Sequence, residues 1–169
     1  MGNRANVFVK DQFGAGGVFL YTHSGGDELP LLLQTAIRRG RERWQVASYL
    51  ARIIFCDMVR DDLDGMFGHG ISASLGDNGH PILAVEVGSQ SIVVLQLNSG
   101  GPPTVLNTFT FEDYVALNLG DDAWTTVESP RGEQPAAPAK QPAAKPAAKQ
   151  PAAKQPAAKK PPKGKPKKR

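Results

Sequence analysis

The sequence predicts an α+β domain, built as a two-layer sandwich, that is followed by a disordered C-terminal tail. Strand-like segments occur in two hairpin patterns, and amphipathic helical patterns lie between and after them. The last part of the chain has a composition from which no core can form. We therefore expect an antiparallel sheet of about five strands with two or three helices in residues 1–129, and a basic tail in residues 130–169.

The N-terminal region predicts a hairpin followed by a helix. Residues 5–10 (ANVFVK) and 17–21 (GVFLY) are rich in β-branched and aromatic side chains, and the glycine-rich bend 13–16 separates them. After the turn HSGG, Asp27 is the expected helix N-cap, with Pro30 in the first turn where its missing N–H is not needed.

Two arginines suit the C-terminal end of this first helix. Arg38 and Arg39 complement the negative end of the helix dipole, and Gly40 suits the left-handed position that often follows a helix. A longer second helix is predicted over residues 44–62, where apolar residues recur at four-residue spacing.

The second half of the domain predicts a short strand, another hairpin and a third helix. The short strand is expected at residues 71–75, and residues 82–87 and 91–97 alternate around the turn Gly-Ser-Gln. Thr110 is then expected to cap a short helix by bonding the backbone of Asp113. Phe109 and Tyr114 form the flanking hydrophobic pair, and Gly120 is expected to end this helix.

The charge of the chain is divided between two unlike parts. The whole chain has a net charge of +4, but residues 134–169 contain eleven cations and no acid, so residues 1–133 carry −7. Proline recurs every four or five residues in this segment, which excludes a helix, and alanine buries too little surface to offset the entropy of ordering. Such an asymmetry indicates an interaction tail on an acidic domain.

An evenly spaced series of cations favours a polyanionic partner, because each lysine that neutralises a phosphate releases counterions. The segment resembles the Lys/Pro/Ala-rich tails of linker histones and of bacterial histone-like proteins, and the resemblance implies sequence-indifferent binding to nucleic acid, with DNA expected. One alternative is a solubilising spacer with no fixed partner. The other is a segment that binds an anionic membrane or protein. The predicted nucleic-acid-binding residues are the cations of the tail: Lys140, Lys145, Lys149, Lys154, Lys159, Lys160, Lys163, Lys165, Lys167, Lys168 and Arg169.

Cysteine content and hydropathy predict a cytoplasmic protein without a membrane partner. Cys56 is the single cysteine, so no intrachain disulfide can form, and we expect it to be a buried structural thiol. No apolar run approaches the about 18 residues of a membrane span, and the N-terminus lacks the apolar stretch of a secretory signal.

The globular part resembles a family of small uncharacterised proteins of bacteria and phages. The resemblance rests on the opening MGNRANV, the turn YTHSGG at residues 21–26 and the segment SYL at residues 48–50. It implies no activity.

His23 and Asp27 form the first candidate site of the domain. Backbone N–H groups of the glycine turn could bind an anion there, with His23 as an acid or base. The favoured interpretation is a strand-end histidine in a tight turn. His69 and His80 could join His23 or an aspartate as metal ligands, but no HExxH or CxxC spacing is present, so we predict no metal and no cofactor.

Four aspartates form the second candidate site. Asp57, Asp61, Asp62 and Asp64 gather at the C-terminal end of the second helix, where the helix dipole disfavours negative charge. Arg60 and other local arginines, a bound cation or the basic tail could compensate them. The favoured alternative is a solvated acidic face.

The sequence contains no P-loop, dinucleotide glycine pattern, nucleophile elbow or paired-carboxylate motif. We therefore expect a non-enzymatic cytoplasmic protein whose tail binds nucleic acid. One alternative is a protein-binding or immunity-type module that uses its acidic surface, with the tail as a spacer. A small hydrolase centred on His23 is the other.

Overall fold

A single six-stranded sheet organises the described part of the chain. The computed structural model describes residues 2–11, 13, 16–65 and 67–129, so the predicted tail at 130–169 and part of the predicted bend at 13–16 lie outside the described residues. The strands are β1 (Ala5–Lys10), β2 (Gly17–Thr22), β3 (Gly70–Ser72), β4 (Ile82–Glu86), β5 (Ser91–Gln96) and β6 (Thr104–Thr110). The helices are α1 (Leu29–Arg39), α2 (Ala47–Met58), α3 (Phe111–Ala116) and α4 (Ala123–Glu128).

The strand order is β3-β2-β1-β4-β5-β6, and the fold class is α+β, as predicted. Both predicted hairpins are present, since β1 pairs antiparallel with β2 and β4 pairs antiparallel with β5. The sheet is nevertheless mixed, because β1 and β4 pair in parallel at its centre. The intervening helices carry the chain across one face before β4 begins, as a parallel pairing requires.

Alternate residues of the sheet and one side of each helix build the core. Val7, Leu83 and Ile92 point to the same face of the sheet, where they join Leu33 and Tyr114 from the helices. Ile82 and Ala84 on the opposite face of β4 are also buried, which is why β4 appears as a continuous apolar run. The predicted two-layer arrangement therefore has its core between the sheet and the helices.

The end of α1 differs from the prediction at Gly40. Its φ of −81° is not left-handed, so the glycine is not required for its backbone conformation. A Cβ at this position would lie 2.9 Å from Leu50 Cδ1 and 3.1 Å from the Ala36 carbonyl oxygen. Close packing of α1 against α2 is thus the physical reason for the glycine.

The second helix is shorter than the predicted span 44–62. A 3-10 turn (Arg41–Arg43) precedes it, and Trp44 lies in the connection, where its indole Nε1 donates to the Ile37 carbonyl at 2.8 Å. The helix has Val46 as its N-cap and Val59 as its C-cap, so a few residues at each end of the predicted span lie outside it.

The third helix begins as predicted. Thr110 Oγ1 accepts a hydrogen bond from the Asp113 backbone N–H at 3.1 Å, and the rings of Phe109 and Tyr114 pack edge to face at 5.7 Å. The helix ends at Ala116, four residues before the expected stop at Gly120.

Two elements were not predicted, strand β6 and helix α4. Asp122 caps α4 through the Thr125 backbone N–H at 3.2 Å, and Asn107 of β6 donates to the Ser129 carbonyl at 2.6 Å. The Asn107 contact attaches the end of the domain to the edge strand. Across the described ranges, no helix combines the length and the apolar character needed to cross a membrane.

Candidate functional site

The predicted nucleic-acid-binding cations all lie in residues 140–169, outside the described residues. The structure instead shows what the cations of the domain do. Residues 2–129 contain eight Lys and Arg, and five of them form ion pairs with carboxylates of the domain. Two more, Arg43 and Arg52, lie over the ring of Tyr49 at 5.1 and 5.6 Å. Most of the domain's positive charge is therefore engaged within the domain.

The glycine turn beside His23 does not offer its N–H groups to an anion. The N–H groups of His23 and Ser24 donate to the Phe67 carbonyl at 3.1 and 3.2 Å. Gly25 N–H donates to Thr22 Oγ1 at 3.0 Å, and Gly26 N–H donates to the Asn3 carbonyl at 2.9 Å. These four N–H groups of the turn are therefore engaged within the domain, and His23 directly follows the last residue of β2.

Gly26 packs too closely against Asn3 to carry a side chain. A Cβ there would lie 2.5 Å from Asn3 Oδ1 and 2.7 Å from the Asn3 carbonyl oxygen, so only glycine fits. Its own carbonyl accepts the indole N–H of Trp124 at 2.9 Å. The Trp124 ring stacks on His80 at 4.8 Å, with an interplanar angle of 8°.

Asp27 is not the N-cap of α1, because Glu28 occupies that position without a side-chain cap. The carboxylate of Asp27 accepts from the Asn3 amide instead, and its Oδ1 lies 3.5 Å from His80 Nε2. His80 Nε2 also lies 2.6 Å from Asn3 Oδ1. His80 therefore belongs to a small polar cluster against Trp124. No group of three or more His, Cys, Asp or Glu within the described ranges has an arrangement that could hold a metal ion.

Asp57 is the most buried carboxylate that the sequence singled out. Its side chain is 2% exposed, and its Oδ1 is paired with Arg60 and, at 2.8 Å, with Arg39 from the last turn of α1. The local arginines are thus the compensating charge, which was one of the alternatives. The expectation of a solvated acidic face is wrong for Asp57 and for Asp62, whose side chain is 8% exposed, whereas Asp61 and Asp64 are exposed.

Asp57, Asp61 and Asp62 line a small cavity between the start of α1, the end of α2 and the loop after α2. Its volume is about 80 Å³, the size of one side chain. We name it the acidic cavity, and its lining residues are Gly25, Glu28, Leu32, Asp57, Met58, Asp61, Asp62, Phe67 and His69.

The loop after α2 positions His69 in this cavity. Asp62 Oδ2 accepts from the Phe67 backbone N–H at 2.8 Å, and it lies 3.9 Å from His69 Nε2. Burial lowers the pKa of His69 below its ordinary value of 6.5, and the negative charge of Asp62 offsets part of this effect. His69 is therefore neutral at pH 7.

The burial of His69 makes the stability of the domain depend on pH. As the pH falls, His69 is protonated first in the unfolded chain, because its pKa is higher there than in the folded protein. The contribution of neutral His69 is thus complete above pH 6.5 and is lost as the pH falls from about 6.5 towards the folded pKa. We expect His69→Asn to reduce the difference in unfolding free energy between pH 7.5 and 5.5, by at most about 1.4 kcal/mol per pH unit in that window. Urea titrations of both proteins at both pH values measure it, and an unchanged difference would contradict the burial argument.

Sequence reasoning separated residues that the structure brings together. It placed His69 with a hypothetical metal site and left Glu28 and Phe67 unassigned, yet all three line the cavity with Asp57 and Asp61. His23 does not line it. The signal that could have been used is the short spacing from Asp57 to His69, which lets one helix end and its loop supply most of the lining.

Cys56 is exposed, so the expectation of a buried thiol is wrong. It follows Phe55 on α2 and precedes the buried Asp57. The helical stripe that contains Leu50, Ile54 and Asp57 faces the core, and Cys56 lies beside that stripe.

Comparison with family models, with curated proteins and with solved structures finds no match for this chain. The resemblance of residues 134–169 to histone-like tails and that of the globular part to small bacterial and phage proteins therefore stay predictions.

Proposed function

We propose that this chain is a non-enzymatic cytoplasmic binding protein that binds nucleic acid, DNA above all, through residues 134–169 and without sequence specificity. The observation that carries the proposal is the concentration of eleven cations and no acid in one segment of a chain whose remainder carries −7. Binding of such a segment to a polyanion releases condensed counterions. The resulting gain in binding free energy depends on charge rather than on base sequence.

The composition of the segment supports binding without sequence specificity. It contains no Phe, Tyr or Trp that could stack on bases. Ten of its eleven cations are lysines, which act on phosphate as point charges and lack the planar fork with which arginine recognises guanine.

The domain supports the same division of roles. Several of its cations already contact carboxylates of the domain, and its net negative charge repels a nucleic acid. The single cysteine agrees with a reducing compartment, which is the basis of the cytoplasmic assignment.

Two full-length variants test the proposal. In the first, which we name the tail-neutral variant, all eleven cations of residues 134–169 are replaced with glutamine. In the second, the ten lysines are replaced with arginine. We expect the tail-neutral variant to lose binding to duplex DNA in fluorescence anisotropy, and the arginine variant to retain it for two duplexes of different sequence. Undiminished binding by the tail-neutral variant would contradict the proposal.

A further inference from the structure

The acidic cavity has a lining of one electrostatic sign. Among the described residues, the ionisable side chains of the lining are four carboxylates, Glu28, Asp57, Asp61 and Asp62, together with His69, and no described lysine or arginine lines the cavity. The four carboxylates and the two arginines that pair with Asp57 together carry −2, which disfavours a negatively charged ligand and attracts a positively charged one.

Two polar atoms of the lining residues are buried and have no hydrogen-bond partner within the described part of the chain. They are Asp57 Oδ2 and His69 Nδ1, and their side chains are 2% and 5% exposed. Arg39 and Arg60 both bind the other oxygen of Asp57 and more than balance its charge, while Oδ2 keeps its acceptor capacity. A buried polar atom without a partner costs about 1–3 kcal/mol. These two atoms therefore indicate a ligand that forms hydrogen bonds with them.

The required group is a hydrogen-bond donor. Asp57 Oδ2 can only accept, and His69 Nδ1 accepts when the ring proton is on Nε2, the atom that faces Asp62. The backbone N–H of Gly25, which also lines the cavity, already donates to Thr22 Oγ1. The lining therefore offers acceptors and carboxylates to a ligand that carries several N–H donors.

The cavity also has an apolar wall. Leu32, Met58 and the partly exposed Phe67 line it beside the carboxylates. A strongly hydrated bare ion gains nothing from such a wall, whereas an aliphatic stem does, and a cation above the Phe67 ring gains a further attraction.

We propose that the acidic cavity binds an alkylammonium or alkylguanidinium group, the chemistry of a lysine or arginine side chain or of a small free amine. The aliphatic stem lies along Leu32, Met58 and Phe67, and the charged head donates to Asp57 and His69 within the ring of carboxylates. A volume of about 80 Å³ accommodates one such group. The cavity is lined by residues of the domain, whereas the proposed nucleic-acid binding rests on residues 134–169, so either proposal can fail while the other holds.

The test is a titration of the isotope-labelled full-length chain with n-pentylamine, N-acetyl-lysine amide and N-acetyl-arginine amide, followed by NMR. We expect saturable shifts of the backbone signals of Asp61, Asp62 and His69, with a dissociation constant of about 1 mM because the ligand is small. Pentanol, which has the same stem without the charge, is expected to cause no saturable shift.

Matched variants locate the site. Asp61→Asn removes an exposed carboxylate of the lining and is expected to weaken binding about two- to five-fold. Asp64→Asn removes an exposed carboxylate of the same loop that does not line the cavity, and it is expected to change nothing. His69→Leu removes the acceptor and is expected to weaken binding about ten-fold or more.

The same titration of the tail-neutral variant distinguishes the sources of the cation. If the cavity signals differ between the wild type and the tail-neutral variant before any amine is added, a lysine or arginine of the chain's own C-terminal segment is the ligand. If they coincide and added amines bind, the ligand is another molecule. The proposal is overturned if no amine gives saturable shifts in either protein, if pentanol acts equally, or if only divalent metal ions bind.

Discussion

The affinity of the full-length chain for duplex DNA is expected to fall by about 10³–10⁵ between 50 and 200 mM salt, if six to ten phosphates are neutralised. Each contact contributes a slope of about −0.9 in a plot of log affinity against log salt concentration, because each releases condensed counterions. Residues 134–169 supply eleven cations, which is enough for this number of contacts. Fluorescence anisotropy at a series of salt concentrations measures the slope.

Two deletions of equal length provide the control for this prediction. Residues 163–169 contain five cations, whereas residues 139–145 contain two. Removing the first segment should flatten the slope by about 4.5, and removing the second by about 1.8. Equal effects, or a slope near zero in the intact chain, would show that the charge of this segment does not determine binding.

The largest effect on stability is expected from Trp124→Ala. Trp124 is 7% exposed, stacks on His80 and donates to the Gly26 carbonyl at 2.9 Å, so it fixes helix α4 to the turn before α1. Truncation of a buried tryptophan costs about 3–5 kcal/mol, because transfer free energy is lost and a cavity remains. Thermal unfolding should therefore occur about 10–20 °C lower, as measured by circular dichroism.

Trp124→Phe separates packing from hydrogen bonding. It keeps an aromatic ring against His80 but removes the indole N–H, while the Gly26 carbonyl still accepts from the Leu29 N–H at 3.2 Å. We expect a cost of about 1–2 kcal/mol. Alanine and phenylalanine variants of equal stability would mean that the ring contributes little to the attachment of α4.

Elements with a local signal were predicted well from the sequence. The hairpins β1–β2 and β4–β5 follow from alternation and turn residues, and α3 follows from the capping pair Thr110 and Asp113. Each of these signals involves residues that are close in sequence, so a single segment contains all the information.

The missed features depend on contacts between distant segments. Strand β6 exposes Val105 and Leu106 and buries Phe109, so its alternation is interrupted, and its pairing with β5 contains a register shift at Val94 and Leu95. The parallel pairing of β1 with β4 joins residues more than 70 positions apart, such as Val7 and Leu83.

The candidate site shows the same limit. Aspartates at a helix end predict a solvated surface, and nothing close in sequence to Asp57 indicates that Arg39 of the preceding helix reaches its carboxylate. The acidic cavity depends on that contact and on the loop after α2, which folds back so that Phe67 and His69 line the cavity. The sequence alone therefore does not predict it.

The most direct test of the proposed function compares a synthetic peptide of residues 134–169 with the full-length chain in binding to the same DNA duplex. The peptide carries all eleven cations without the remainder of the chain, whose charge is −7 and which repels DNA. We expect the peptide to bind at least as tightly as the full-length chain, with the same salt slope. A peptide that fails to bind under conditions in which the full-length chain binds would contradict the account, because the domain would then be the nucleic-acid-binding part.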